Sequence, residues 1–287
     1  MAAKETRLVV IIPAHNEAET LSACLESFAR QSRQPDQLVV VDDHSSDRTG
    51  AIAQAFAETH PWAEVTRNTS SPEHQPGAKV VRSFRHGMQQ IKEPFDFIGK
   101  FDADIVLPPD YFENVLKAFA EEPELGMCAG QLYIPSASGW VYEAIASRDH
   151  IRGPVKCYRA SCFEAIGGLR PFMGWDTADV ILARFYGFRT RTLPELRVHH
   201  LRPTGGAYSK SHARRQGEAF YQLRYDLLLA LLASAKMAWQ RRNPLLILHH
   251  LSGFLKAMFR GGERLLSRKE GRFARQWRWR GVRSRLS

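Results

Sequence analysis

The chain has 287 residues, 44% hydrophobic and 24% charged, with a formal net charge of +10. That composition is ordinary for a globular protein and excludes a fibrous, low-complexity or wholly disordered chain. No run of about 20 strongly apolar residues occurs, so no transmembrane helix is expected, and Met1–Arg7 holds no apolar core of signal-peptide length.

Leu8-Val9-Val10-Ile11-Ile12 is a continuous, β-branched apolar run, as expected of a strand buried on both faces of a parallel sheet. Pro13-Ala14-His15-Asn16-Glu17 ends it. Leu21, Cys24, Leu25 and Phe28 then recur at helical spacing over 18–31. Leu38–Val41 is a second buried strand, ended by Asp42-Asp43-His44-Ser45-Ser46-Asp47. A helix over 48–59, a weaker strand at Trp62–Val65, a loop at Pro72–Pro76 and a helix over Ala78–Ile91 follow. Next comes Phe95–Gly99, which runs into Lys100-Phe101-Asp102-Ala103-Asp104. Strand–helix alternation of this kind predicts an α/β fold with a mostly parallel central sheet.

In such sheets ligands bind beyond the carboxyl ends of the strands. Three acidic clusters fall there: Asn16-Glu17, Asp42-Asp43 and Asp102-x-Asp104. Asp102 and Asp104 are one residue apart and repel each other unless a cation or hydrogen-bond donors lie between them. Hard divalent ions such as Mg²⁺ and Mn²⁺ prefer carboxylate oxygen. No Gly-x-Gly-x-x-Gly or Gly-Lys-Ser/Thr loop is present, so a phosphate in this cleft would need a bridging metal. Further along, a helix is expected over 109–120 and strand-like segments at Leu125–Ile134 and Val155–Arg159. A helix over Thr177–Tyr186 should be capped by Asp176, with strands at Arg189–Leu193 and Val198–Arg202 after it.

Ile12-Pro13-Ala14-His15-Asn16-Glu17, Val41-Asp42-Asp43-His44-Ser45-Ser46-Asp47-Arg48-Thr49, Asp102-Ala103-Asp104, Gly167-Gly168-Leu169 and Gly174-Trp175-Asp176 come in order. In this the chain resembles the family-two inverting glycosyltransferases of GT-A fold, over residues 7–204. The resemblance implies a nucleoside-diphosphate-sugar donor held by Pro13, Asn16, Glu17, Asp42, Asp43, Lys79 and Asp102. It implies Mg²⁺ or Mn²⁺ on Asp104, with a histidine as a further ligand. His199 and His200 point to opposite faces of a strand, and His200 is preferred, with Arg202 nearby for the diphosphate. It implies Asp176 as the general base; many members have Glu-Asp here where this chain has Trp175-Asp176, and Asp179, three residues on, suits the same role. Trp140 and Trp175 suit either stacking on an acceptor sugar or core packing. The acceptor would be a glycan or a lipid-linked sugar, in cell-surface polysaccharide synthesis. A nucleotidyltransferase, or a scaffold that kept the fold without activity, is the alternative.

Two domains are expected, 1–207 catalytic and 208–287 a helical extension. Residues 260–287 hold ten Arg or Lys against two acids, so +8 of the +10 lies there. Ala219, Phe220, Leu223, Leu227, Leu228, Leu231 and Leu232 follow helical spacing, and Phe273, Trp277 and Trp279 stand among the basic residues. This pattern resembles interfacial helices on an anionic membrane surface, which would place the protein in the cytoplasm, peripheral to the inner face of the cell membrane. Packing on the catalytic core is a second reading. Nucleic acid is a third, which nothing in the acidic cleft supports. Cys24, Cys128, Cys157 and Cys162 form no Cys-x-x-Cys pair, as expected of buried thiols in a reducing compartment.

Overall fold

A computed structural model describes residues 6–69, 77–204 and 210–284. The loop expected at Pro72–Pro76, the boundary at 207/208 and Arg285 lie outside the described residues. The chain divides into two compact units, Met1–Pro171 with Trp175–Thr204, and Phe172–Gly174 with Gly205–Ser287.

The first unit opens with β1 (Leu8–Ala14), α1 (Leu21–Ala29), β2 (Gln37–Asp43), α2 (Thr49–Thr59), β3 (Ala63–Asn68), α3 (Ala78–Met88) and β4 (Phe97–Phe101). It continues with β5 (Ile105–Val106), α4 (Tyr111–Glu121), β6 (Leu125–Ser136), β7 (Gly139–Tyr142), β8 (Val155–Arg159), α5 (Ala160–Ala165), α6 (Trp175–Phe185) and β9 (Arg189–His200). All strands join one sheet in the order β3-β2-β1-β4-β8-β6-β9-β5, with β7 paired to β6. The strands β3, β2, β1 and β4 are parallel, with Ala14 opposite Asp42 and Ile11 opposite Lys100. Their carboxyl ends therefore lie along one edge, where the acid clusters emerge. The continuous apolar runs are sealed: Leu8 to Ile12 and Leu38 to Val41 are buried throughout. Phe28, Phe101, Tyr111 and Phe112 lock α1 and α4 onto β4, with ring centroids 5.4–5.7 Å apart.

Three expectations change. The two strands expected over 189–202 are one strand, β9, in which Gly130 pairs with Leu193 and Gln131 with Arg197. Pro194 has no N–H for the ladder, so the chain bulges there and pairing resumes beyond it. The helix α6 starts at Trp175, so Asp176 lies inside its first turn rather than capping it. Gly174, at φ +85°, makes the turn into the helix that a side chain would strain. The short elements β5, β7 and α5 were not expected.

The second unit holds α7 (Lys210–Gln222), α8 (Leu227–Gln240), α9 (Leu245–Phe259) and α10 (Arg268–Arg283). Asp226 caps α8 by accepting from the Leu229 N–H at 2.8 Å, and Ser267 with Glu270 forms a capping box on α10. The helices α7 and α9 cross at glycines, Gly217 against the His250 backbone and Gly253 against the Arg214 backbone. Part of the basic end is consumed inside this unit. The Arg264 and Arg278 guanidinia lie over the Tyr221 and Tyr225 rings at 3.4 and 4.0 Å, and Arg275 donates to the Arg224 carbonyl at 3.0 Å. Among the described residues, no helix is long and apolar enough to cross a membrane.

Candidate active site

A cleft of about 290 Å³ opens at the carboxyl edge of β1, β2 and β4. Its lining includes Pro13, Glu17, Asp43, Lys79, Asp102 and Asp104. Four of these are acids, and each is paired. Lys79 Nζ stands 3.8 Å from Asp43, whose other oxygen accepts from Asn68 Nδ2 at 3.0 Å. Lys100 pairs with Asp102, and Arg202 bridges Glu17 to Asp104, with Nε 3.4 Å from the Asp104 carboxylate. Each of these acids thus has a basic side chain of the chain as counter-charge.

Asn16 and Asp42 are placed differently. The Asn16 side chain accepts from the Ser46 N–H at 2.9 Å, and the buried Asp42 accepts from the Ser45 N–H at 3.0 Å. Neither lines the cleft; both hold the turn that follows β2. His15 Nδ1 adds a 2.7 Å contact to the Asp43 carbonyl, joining that loop to the end of β1.

The pair His199 and His200 is separated by the strand alternation of β9. His199 stacks on Trp140, with centroids 3.9 Å apart and planes 2° from parallel. His200 is buried and turns Nε2 to Asp104 at 3.6 Å and Nδ1 to Glu143 at 3.1 Å. Burial pulls the imidazole pKa down, but the bonds to Asp104 and Glu143 outweigh it and raise it to about 9. Glu143 is itself buried and accepts from Arg152 at 3.0 Å and from the Thr204 N–H at 2.7 Å. Burial would raise the Glu143 pKa; His200, the Thr204 amide and Arg152 overcome it and hold it near 2. Asp104 and His200 thus converge; facing two carboxylates the imidazole holds its proton, and it becomes a nitrogen donor only where a cation displaces the proton on Nε2. Among the described residues no group of three or more His, Cys, Asp or Glu is arranged to hold a metal. One or two carboxylates completed by substrate phosphates and water are, however, a usual way of holding Mg²⁺, and Asp104 offers one such carboxylate at the cleft.

Asp176 and Asp179 also part company. Asp179 is 3% exposed and is held by Lys156 Nζ at 2.8 Å on both oxygens and by the Tyr158 hydroxyl at 2.6 Å. Burial pushes its pKa up to about 6 against the pull of Lys156. Asp176 is half-buried beside Gly153, outside the residues lining the cleft, and its carbonyl accepts from Lys156 Nζ at 2.7 Å. Trp175 is buried against Lys100 and Lys156, so it is core rather than a platform for a sugar. Lys100, Lys156 and Glu143 were missed from sequence. The two lysines had a signal: a charge inside a strand of otherwise buried residues must have a partner.

The glycosyl transferase family 2 profile matches residues 9–173. The chain is 31% identical over 122 residues to an undecaprenyl-phosphate 4-deoxy-4-formamido-L-arabinose transferase of Serratia proteamaculans, covering 40% of this chain and 34% of that one. It is 30% identical over 112 residues to an undecaprenyl-phosphate mannosyltransferase of Micrococcus luteus, covering 39% and 44%. The matched part spans less than half the length of these curated relatives. Among solved structures it is similar to the mannosyltransferase PcManGT from Pyrobaculum calidifontis in complex with GDP-Man and Mn²⁺. That match has a TM-score of 0.57 at 18% identity over 89% of this chain and 76% of that one. It is also similar to TarS of S. aureus in complex with UDP-GlcNAc, at TM-score 0.61 and 18% identity over 84% and 75%. The fold is accordingly the mixed α/β fold of GT-A glycosyltransferases.

Proposed function

Because the chain belongs to glycosyl transferase family 2, we propose that it moves a sugar from a nucleoside-diphosphate sugar to a hydroxyl of a glycan or lipid-linked acceptor, with inversion. The observation that carries this reading is the ring of paired acids, Glu17, Asp43, Asp102 and Asp104, around one cleft at the carboxyl ends of parallel strands. In this reading Asp43 and Asp102 meet the base and ribose, and Lys79 adds a further nucleotide contact. Pro13 and Glu17 wall the pocket, and Asn16 and Asp42 act through the loop they hold.

Asp104 and His200 would hold Mg²⁺ or Mn²⁺ against the diphosphate, with Glu143 fixing the ring of His200. When bound, the ion supplies Lewis-acid neutralisation of the departing diphosphate. Arg202, already spanning Glu17 and Asp104, is placed to swing onto phosphate oxygen. Asp176 serves as general base, taking the proton of the acceptor hydroxyl as that oxygen attacks from the face opposite the leaving group. The burial of Asp179 favours Asp176 over it.

The donor classes bound by the structural neighbours, UDP-GlcNAc and GDP-Man, and the undecaprenyl-phosphate acceptors in the relatives' names frame the substrates to test. A membrane-face acceptor agrees with the exposed leucines of α8 (Leu227, Leu228, Leu231 and Leu232). We propose on that account that the protein is peripheral to a membrane, and that the face is the cytoplasmic one. The test is Asp176→Asn, which should keep nucleotide binding and lose turnover by about 10²–10⁴-fold. Turnover retained in that variant removes Asp176 from the reaction.

A further inference from the structure

Lys100 and Lys156 are buried at 1% and 0% exposure, in strands that are otherwise apolar at their centres. They stand directly opposite each other in the antiparallel β4–β8 ladder, so both side chains leave the same face. Two like charges at that spacing repel, and each ammonium loses its water. The structure answers with a shared indole and two carboxylates. The two Nζ atoms lie 5.3 and 5.2 Å from the Trp175 ring centroid, as cation–π pairs. Lys100 pairs with Asp102 and donates to the Gly153 carbonyl at 3.1 Å. Lys156 pairs with Asp179 and donates to the Asp176 carbonyl at 2.7 Å.

Asp179 is sealed from solvent and serves Lys156 as counter-charge. The bond to the Asp176 carbonyl does something else: it fixes the first turn of α6 at the residue that carries the proposed base. Lys100, over the same indole, pairs with Asp102, a wall of the donor cleft. We propose that Lys156 and Lys100 are positioning residues for transfer, each acting on its own partner beside Trp175. Lys156 sets the backbone of Asp176 and Lys100 sets the carboxylate of Asp102. This rests on the reading that Asp102 meets the donor and Asp176 the acceptor.

The test separates positioning from plain charge compensation. Lys156→Met alone strands the buried Asp179 carboxylate and can weaken the fold, so the decisive variant is Lys156→Met with Asp179→Asn. That pair removes both charges and keeps the side-chain volumes close. Its melting temperature should return toward wild type, and calorimetric binding of UDP or GDP with Mn²⁺ should stay within about twofold, because the donor cleft is untouched. Turnover, read as nucleoside-diphosphate release from UDP-GlcNAc or GDP-mannose, should fall about 10²-fold from misplacement of the base. Lys100→Met should show the opposite split, raising the nucleotide Kd about tenfold through loss of a charged hydrogen bond. Turnover in the double variant within about threefold of wild type overturns the role of Lys156. An unchanged nucleotide Kd in Lys100→Met overturns the role of Lys100. In either case wild-type binding and turnover leave the proposed function standing. A wild-type protein that binds no nucleotide overturns the donor reading, and this proposal with it.

Discussion

The crossing of α7 and α9 sets a sharp test of the second unit. A Cβ added to Gly217 would stand 1.8 Å from the His250 carbonyl oxygen, where contacts under 3.0 Å are essentially never seen. The neighbour is backbone, so no rotamer change relieves the clash, and the helices must part by about 1 Å. A gap of that size forfeits about a quarter to a half of each dispersion contact along the seam. Overpacking of this kind costs about 1–3 kcal/mol. Alanine in place of glycine returns about 0.5–1 kcal/mol of helix propensity. The net expectation for Gly217→Ala is a loss of about 1–2 kcal/mol in urea unfolding followed by far-ultraviolet circular dichroism. Gly253→Ala, whose Cβ would lie 1.9 Å from the Arg214 carbonyl oxygen, should cost a similar amount. The double variant should cost less than the sum, because the seam opens only once. Gly281→Ala on α10 meets nothing within 4 Å and should be neutral or slightly stabilising. A Gly217→Ala protein as stable as wild type would refute the close crossing.

Three further outcomes follow from the same geometry. His250 is fully buried, both ring nitrogens lack a hydrogen-bond partner among the described residues, and burial lowers its pKa from 6.5 to about 4. A depressed histidine pKa means the unfolded chain takes up the proton first. Stability should therefore fall as pH drops from about 6.5 toward 4, by at most about 3 kcal/mol. His250→Leu should flatten that dependence in pH-resolved melts, and an unchanged slope would contradict the assignment. Glu143→Gln removes the carboxylate that orients His200 and should weaken Mn²⁺-dependent nucleotide binding about 10–100-fold; equal affinity in calorimetry would separate Glu143 from the site. Leu228→Glu with Leu231→Glu alters only the exposed face of α8 and should cut co-sedimentation with phosphatidylglycerol vesicles more than about tenfold, since burying each leucine is worth about 1.5–3 kcal/mol. Undiminished sedimentation would detach that face from the membrane.

The amino-terminal half of the sheet was legible because strands buried on both faces read as unbroken apolar runs, and Leu8–Ile12 and Leu38–Val41 could hardly be anything else. The acid clusters were legible by position, at the ends of those strands. Asn16 and Asp42 were harder. The chemistry that binds a ribose hydroxyl also binds a backbone N–H in a turn, and here the turn uses them. Glu143 follows a hairpin that has no two-residue turn signature, and a single acid in a polar stretch has no periodicity to mark it. The strand β9 read as two because Pro194 looks like an end from sequence and is a bulge in space. The charge of the basic end was visible, but composition could not tell an arginine facing solvent from Arg264 or Arg278 laid over a tyrosine ring.

The central claim is that the acid-lined cleft binds a nucleoside diphosphate with a divalent ion. It is met most directly by calorimetric titration of UDP, GDP, CDP and dTDP, each with and without Mn²⁺, into wild type and Asp104→Ala. The account predicts tight binding of one nucleotide that requires Mn²⁺ and is lost in Asp104→Ala. Absence of binding by all four, or binding that ignores both Mn²⁺ and the substitution, would contradict it.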